Sequence, residues 1–85
     1  MARSPDELQK LHDVVADVIN EIAGVPIEDV QLDKSLVDDL DVDSLALVEI
    51  MVEFEQRLGV SVPDDVAKTL KTVGDVVTYL DEHTA

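Results

Sequence analysis

Few side chains in this sequence can do chemistry, and the most suggestive ones sit together. Asp38-Asp39-Leu40-Asp41-Val42-Asp43-Ser44-Leu45 gathers four carboxylates and one hydroxyl within eight residues. Asp43 has the short carboxylate of a helix N-cap, and an apolar run follows it. Ser44 is then the first helical residue. That end of a helix offers free N–H groups and the positive pole of the dipole, both of which favour an anion such as a phosphate ester. The residues by themselves allow two readings. In one, the cluster is an acidic loop plus a cap, and Ser44 is merely the next residue. In the other, Ser44 is a small surface hydroxyl that is modified. The aspartates would oppose a phosphate there, so they must serve another purpose, such as docking a basic enzyme.

The remaining chemistry is thinner. His12 and His83 lie near opposite ends of the chain, and no spacing brings either to a serine, as nucleophilic catalysis requires. Both are read as solvated surface residues, and no catalytic residue is assigned. Asp39, Asp41 and Asp43 match ligand positions 1, 3 and 5 of an EF-hand loop, but Ser44 stands where that loop needs Gly and Ile50 where it needs Glu. No metal ligand is assigned. The chain has no cysteine, which excludes disulfides, zinc–thiolate sites and thiol chemistry of its own.

Charge narrows the partners. The 85 residues carry 20 acids and 6 bases, a formal net charge of −14. Nucleic acid is excluded, because phosphates are repelled and there is no Lys/Arg patch to release counterions. Two aromatics, Phe54 and Tyr79, make no base-stacking platform. No run of about 18 apolar residues exists to span a membrane, and Met1 to Glu7 has no apolar leader core. The expectation is one soluble, cytoplasmic domain over residues 1–85. A hydrophobic content of 46% argues against disorder despite the charge.

The elements that must position the cluster are helices. Ser4 caps, Pro5 suits the first helical position, and Glu7 completes a capping box. Leu8, Leu11, Val15, Val18 and Ile22 form one stripe on a helix of about five turns. Gly24 and Pro26 end it. Residues 25 to 42 make a long connection, anchored by Ile27, Val30, Leu32, Leu36, Val37 and Leu40, with helical turns at Ile27 to Val30 and Ser35 to Leu40. A connection this long in a small domain is usually functional. A second helix runs from Ser44 to Leu58 and is closed by Gly59. Leu47, Ile50 or Met51, Phe54 and Leu58 face one way. Leu45, Val48 and Val52 widen the apolar face toward solvent or a partner. Ser61 to Ala67 gives a short third helix entered through Pro63. Thr72 to Asp75 caps a fourth, with Val73, Val76, Val77 and Leu80 as its stripe. No alternating strand pattern of useful length appears. The fold class is all-α: a four-helix bundle of three longer helices and a short third one, with a long first loop.

Asp43-Ser44-Leu45 resembles the Asp-Ser-Leu motif of acyl carrier proteins. The resemblance covers essentially the whole chain. It includes Leu32 to Ser35, Val37 to Leu45, Val62 before Pro63-Asp64-Asp65, and Leu70 to Asp75. It implies that Ser44 bears 4′-phosphopantetheine, taken from coenzyme A by a phosphopantetheinyl transferase. The arm supplies the thiol that this chain lacks, so the protein is a carrier and not an enzyme. The second helix is then the recognition helix, and Asp43, Leu45, Val48, Glu49, Val52 and Glu55 face partner enzymes. From Ser35 to Gln56 there are seven acids and no base, a patch that speeds encounter with basic surfaces. Ala46, Gln56 and Arg57 depart from many bacterial carriers, in which acids stand at the first two positions.

The resemblance is to discrete carriers of actinobacterial type II fatty acid synthases. The implied partners are an acyltransferase, a ketosynthase, a ketoreductase, a dehydratase and an enoyl reductase, and the carrier is a monomer. Asp43 to Leu47 and Gly59 to Ala67 are also similar to type II polyketide carriers, and an acidic protein-interaction module is the remote alternative. In the family the acyl chain folds between the helices. The lining implied here is Val48, Met51, Val52, Phe54, Val66, Leu70 and Val76.

Overall fold

The computed structural model describes residues 5–83. Four α-helices are arranged in chain order: α1 Pro5–Ala23, α2 Ser44–Leu58, α3 Asp64–Ala67 and α4 Val73–His83, with a 3₁₀ turn at Ile27–Asp29 between α1 and α2. Ser4, read from the sequence as the cap of α1, lies outside the described residues. α1 packs against both α2 and α4, and the short α3 packs against α2. Two neighbours require a wide apolar face on α1. Leu11, Val15 and Val18 are buried as the stripe predicts, and Ala16 and Ile19 join them, whereas Leu8 is at the exposed edge.

Helix ends follow the local chemistry. Gly24 and Gly59 stop α1 and α2 in the left-handed region, at φ of 75° and 71°, where a side chain would be strained. Their N–H groups donate to Asn20 O and Glu55 O at 3.0 and 2.9 Å. At α4, the Asp75 N–H donates to Thr72 Oγ1 and the Thr72 N–H to Asp75 Oδ2, at 3.1 and 3.2 Å. This is a reciprocal capping box. α3 is shorter than the expected Ser61 to Ala67. Pro63 is extended and α3 begins at Asp64, because the residue before a proline is held out of the helical region and Pro63 itself lacks a donor.

The long connection is tied down at both sides. The His12 Nε2–H donates to Val30 O at 2.6 Å, and Asn20 Nδ2 donates to Val25 O at 2.8 Å. His12 is therefore half-buried and structural, not the solvated residue its sequence position suggests. At the far side, the Leu36 N–H donates to Lys71 O and the Val73 N–H to Lys34 O, at 2.9 and 3.0 Å. These bonds make an isolated antiparallel bridge between Ser35 and Thr72. Of the six apolar anchors expected in this segment, Val30, Leu36 and Leu40 are buried. Ile27, Leu32 and Val37 are exposed. The pinned backbone decides which of them turn inward.

Phe54 holds the centre. It is fully buried, in one cluster with Ile50 and Met51 of α2 and Val73, Val76 and Leu80 of α4. The buried residues form one apolar cluster, and no charged or polar side chain is buried among the described residues. Phe54→Ala should cost about 3–5 kcal/mol through lost burial and a residual cavity. That is a large share of what a domain of this size holds in reserve. Urea denaturation monitored by circular dichroism should show a variant that is largely unfolded or nearly so.

Candidate functional site at the head of α2

The head of α2 is built by three residues of alternating fate. Asp41 adopts φ of 58°, a left-handed conformation that aspartate tolerates better than most residues. The turn drives Val42 into the core, where it is 1% exposed. The Val42 N–H donates to Leu36 O at 2.8 Å. Asp43 then returns to the surface in an extended conformation, and its Oδ1 accepts from the Ala46 N–H at 2.8 Å. The N-cap read from the sequence is thus present. Ser44 follows as the first residue of α2, exposed, with its hydroxyl at the positive end of a fifteen-residue helix.

The preceding turn is held by its own side chains. The Ser35 N–H donates to Asp39 Oδ2 at 2.7 Å, and the Asp38 N–H donates to Ser35 Oγ at 3.2 Å. Two of the aspartates that resemble metal ligands therefore serve backbone N–H groups: Asp39 in the turn and Asp43 at the cap. Both imidazoles are engaged elsewhere, His12 with Val30 O and His83 with Tyr79 O at 2.8 Å.

α2 divides its surface between core and solvent. Leu45, Val48 and Val52 are 69%, 45% and 49% exposed. Asp43, Glu49 and Glu55 are exposed beside them. These six residues, singled out from the sequence as partner contacts, lie on the outward side, away from Ile50, Met51 and Phe54. Glu53 differs from the other acids. It accepts from Arg57 Nε at 3.2 Å, and Arg57 also pairs with Glu21 of α1. The Glu53 hydrogen bond, followed by the charges of Glu21 and Glu53, pushes the guanidinium pKa above its ordinary value. The one base of α2 is thereby spent on a clip between α1 and α2, and the sequence carries no signal of its partner 36 residues away.

A cavity of about 210 Å³ adjoins the site. Leu36, Val42, Leu47, Ala67 and Leu70 line it, so the residues flanking Ser44 in the chain contribute on both sides. Of the lining implied by resemblance, only Leu70 belongs to this cavity. Val48 and Val52 are exposed, and Met51, Phe54 and Val76 fill the packed core. Val66 is half-buried. The reason is the register of α2. Its Leu47 side faces the loop and α3, whereas the Met51–Phe54 side turns into the buried core, where α2 packs against α1.

A short helical bundle with a capped, outward-facing serine at one helix head is an arrangement that suits a class, the phosphopantetheine-bearing carrier domains. The family described as the phosphopantetheine attachment site matches residues 13–80, and the chain belongs to that family and, within it, to the acyl carrier proteins. An acyl carrier protein of Acidothermus cellulolyticus is 58% identical over 66 residues, covering 78% of this chain and 79% of its own. One from Thermobifida fusca is 50% identical over 74 residues, covering 87% and 94%. A meromycolate extension acyl carrier protein of Mycobacterium leprae is 47% identical over 68 residues, covering 80% and 59%. Among solved structures, an acyl carrier protein from Enterococcus faecalis superposes with a TM-score of 0.75 at 26% identity, covering 91% of this chain and 98% of its own. The cofactor of the family is phosphopantetheine. The residues present suit it: an exposed hydroxyl, a helix head that favours a phosphate ester, and an apolar cavity alongside. Among the described residues, no helix is long and apolar enough to cross a membrane.

Two substitutions test how the helix head is made. Asp43→Ala removes the cap and should cost about 1 kcal/mol. Asp41→Val places a branched side chain at positive φ and should cost about 1–2 kcal/mol, whereas Asp41→Asn should be near neutral. Urea midpoints of the three variants check the order.

Proposed function

We propose that Ser44 is the attachment point and that the chain ferries acyl groups, as thioesters on the arm, between separate enzymes of type II fatty acid synthesis. The observation that carries this is the exposed Ser44 hydroxyl at the head of α2, held by the Asp43 cap within Asp-Ser-Leu. Its oxygen is available to become a phosphodiester, and the N–H groups of the first turn favour the anion produced. The arm supplies the thiol that carries acyl groups. The protein supplies the address and the shelter, and no catalysis of its own. A relative named for meromycolate extension, together with an apolar cavity floor, supports a lipid pathway over a polyketide one. The setting is the cytoplasm, the carrier works as a monomer, and its partners are a phosphopantetheinyl transferase and the acyltransferase, ketosynthase and processing enzymes of the synthase.

Recognition by those enzymes falls to the outward face of α2. Leu45, Val48 and Val52 offer apolar contact, and Asp43, Glu49 and Glu55 set a negative field around it. Arg57 does not blunt that field, because Glu53 and Glu21 occupy it. Such a surface draws basic partners at low salt and loses strength as charges are screened.

Two experiments test these assignments. Intact mass after incubation with a transferase and coenzyme A should show one added arm, and Ser44→Ala should abolish it while leaving the helical spectrum intact. An arm on Ser35 or Ser61 would refute the site. Glu49→Lys and Glu55→Lys should each lower kcat/KM for a partner enzyme severalfold at low ionic strength, with the loss shrinking at high salt. Unchanged kcat/KM at low salt would remove α2 as the docking face.

A further inference from the structure

The cavity beside the helix head has an apolar floor and a charged rim. Leu36, Val42 and Ala67 are buried, at 3%, 1% and 4% exposure, and form the floor. Lys68 and Lys71 are exposed and line the same cavity. They are two of only six bases in a chain of net charge −14. They arrive from the segment after α3, which is bonded to the loop leading into α2 through the Leu36 N–H and Lys71 O. Asp38 and Ser35 line the cavity as well, so the charged residues of the lining are two lysines and one aspartate.

A saturated acyl chain needs only the floor. Cavities of about 150 Å³ admit a six-carbon ring, so about 210 Å³ accommodates a short chain of similar size. An acyl group that ends in a carboxylate has a different requirement. Its methylenes suit the floor, but its charge must not be buried unpaired. Elsewhere on this surface the excess of acids repels it. At this mouth the ammonium groups of Lys68 and Lys71 offer charge-assisted hydrogen bonds.

We infer that Lys68 and Lys71 receive the free carboxylate of dicarboxylic acyl groups carried by this protein, with the methylenes lying across the floor of Leu36, Val42 and Ala67. This makes the pair a specificity device of the carrier itself, and it rests on the reading that Ser44 bears the arm. The arm's own phosphodiester is a second anion that these lysines can attract, and the experiment separates the two.

The protein is prepared in apo form, in holo form, and loaded by a transferase with hexanoyl or adipoyl groups from the matching coenzyme A thioesters. Intact mass is recorded first. Absence of any added mass overturns the Ser44 reading and this one with it. With loading established, the Lys68 and Lys71 side-chain resonances should move on going from holo to adipoyl protein but not from holo to hexanoyl. The adipoyl thioester should hydrolyse about threefold more slowly on the parent protein than on K68A/K71A, the scale of an exposed charge pair. The difference should vanish at high salt. K68R/K71R should keep the protection, and hexanoyl protein should hydrolyse equally on all three. Equal adipoyl hydrolysis on parent and K68A/K71A overturns the inference. So does a lysine shift already complete in the holo form, which would assign the pair to the phosphodiester.

Discussion

One buried side chain between two exposed aspartates governs this site. Val42 enters the core because Asp41 takes up a left-handed turn and because the Val42 amide is bonded to Leu36 O. Once Val42 is inside, Asp43 must return to the surface, where it caps α2, and Ser44 must sit outside on the first turn. The same residue forms part of the wall of the adjoining cavity. Apolar burial at one position thus sets the direction of the helix, the exposure of the hydroxyl and one side of the space beside it.

Net charge is the opposing constraint. A small domain at −14 repels itself, and its stability rests on aliphatic packing around Phe54 with no buried charge among the described residues. Bases are placed sparingly. Arg57 joins α1 to α2 at their ends through Glu21 and Glu53. Being partly exposed, that clip counts for less as an energy than for its effect on the field of α2. With its charge paired, the outward face remains uniformly acidic around Leu45, Val48 and Val52. Under the function proposed, such a face suits brief encounters with basic partners, because electrostatic attraction speeds arrival more than it prolongs residence.

α2 therefore serves two masters with one helix. Ile50, Met51 and Phe54 hold the bundle, and the opposite side is left exposed. Leu47 faces the loop and α3, where a cavity remains open instead of being filled. The function proposed for the chain uses this division: a rigid address at Ser44, an exposed surface on α2, and a small volume beside that serine.

The four helices were legible from local patterns, as were the Asp43 cap, the stops at Gly24 and Gly59, the outward position of Leu45, Val48 and Val52, and the motif around Ser44. These features depend on residues within a turn or two of each other, where a 3.6-residue period and terminal N–H groups act directly. What tertiary structure alone decided is the path of the long first loop and everything that depends on it. Ile27, Leu32 and Val37 are as apolar as Val30, Leu36 and Leu40, yet only the latter three turn inward, because bonds to His12, Lys71 and Val73 hold the backbone. The cavity joins Leu36 and Val42 from that loop to Leu47 from α2 and Leu70 from the segment after α3. No local rule brings these residues together. Their meeting depends on backbone hydrogen bonds between segments more than thirty residues apart in the chain, which no short-range periodicity encodes.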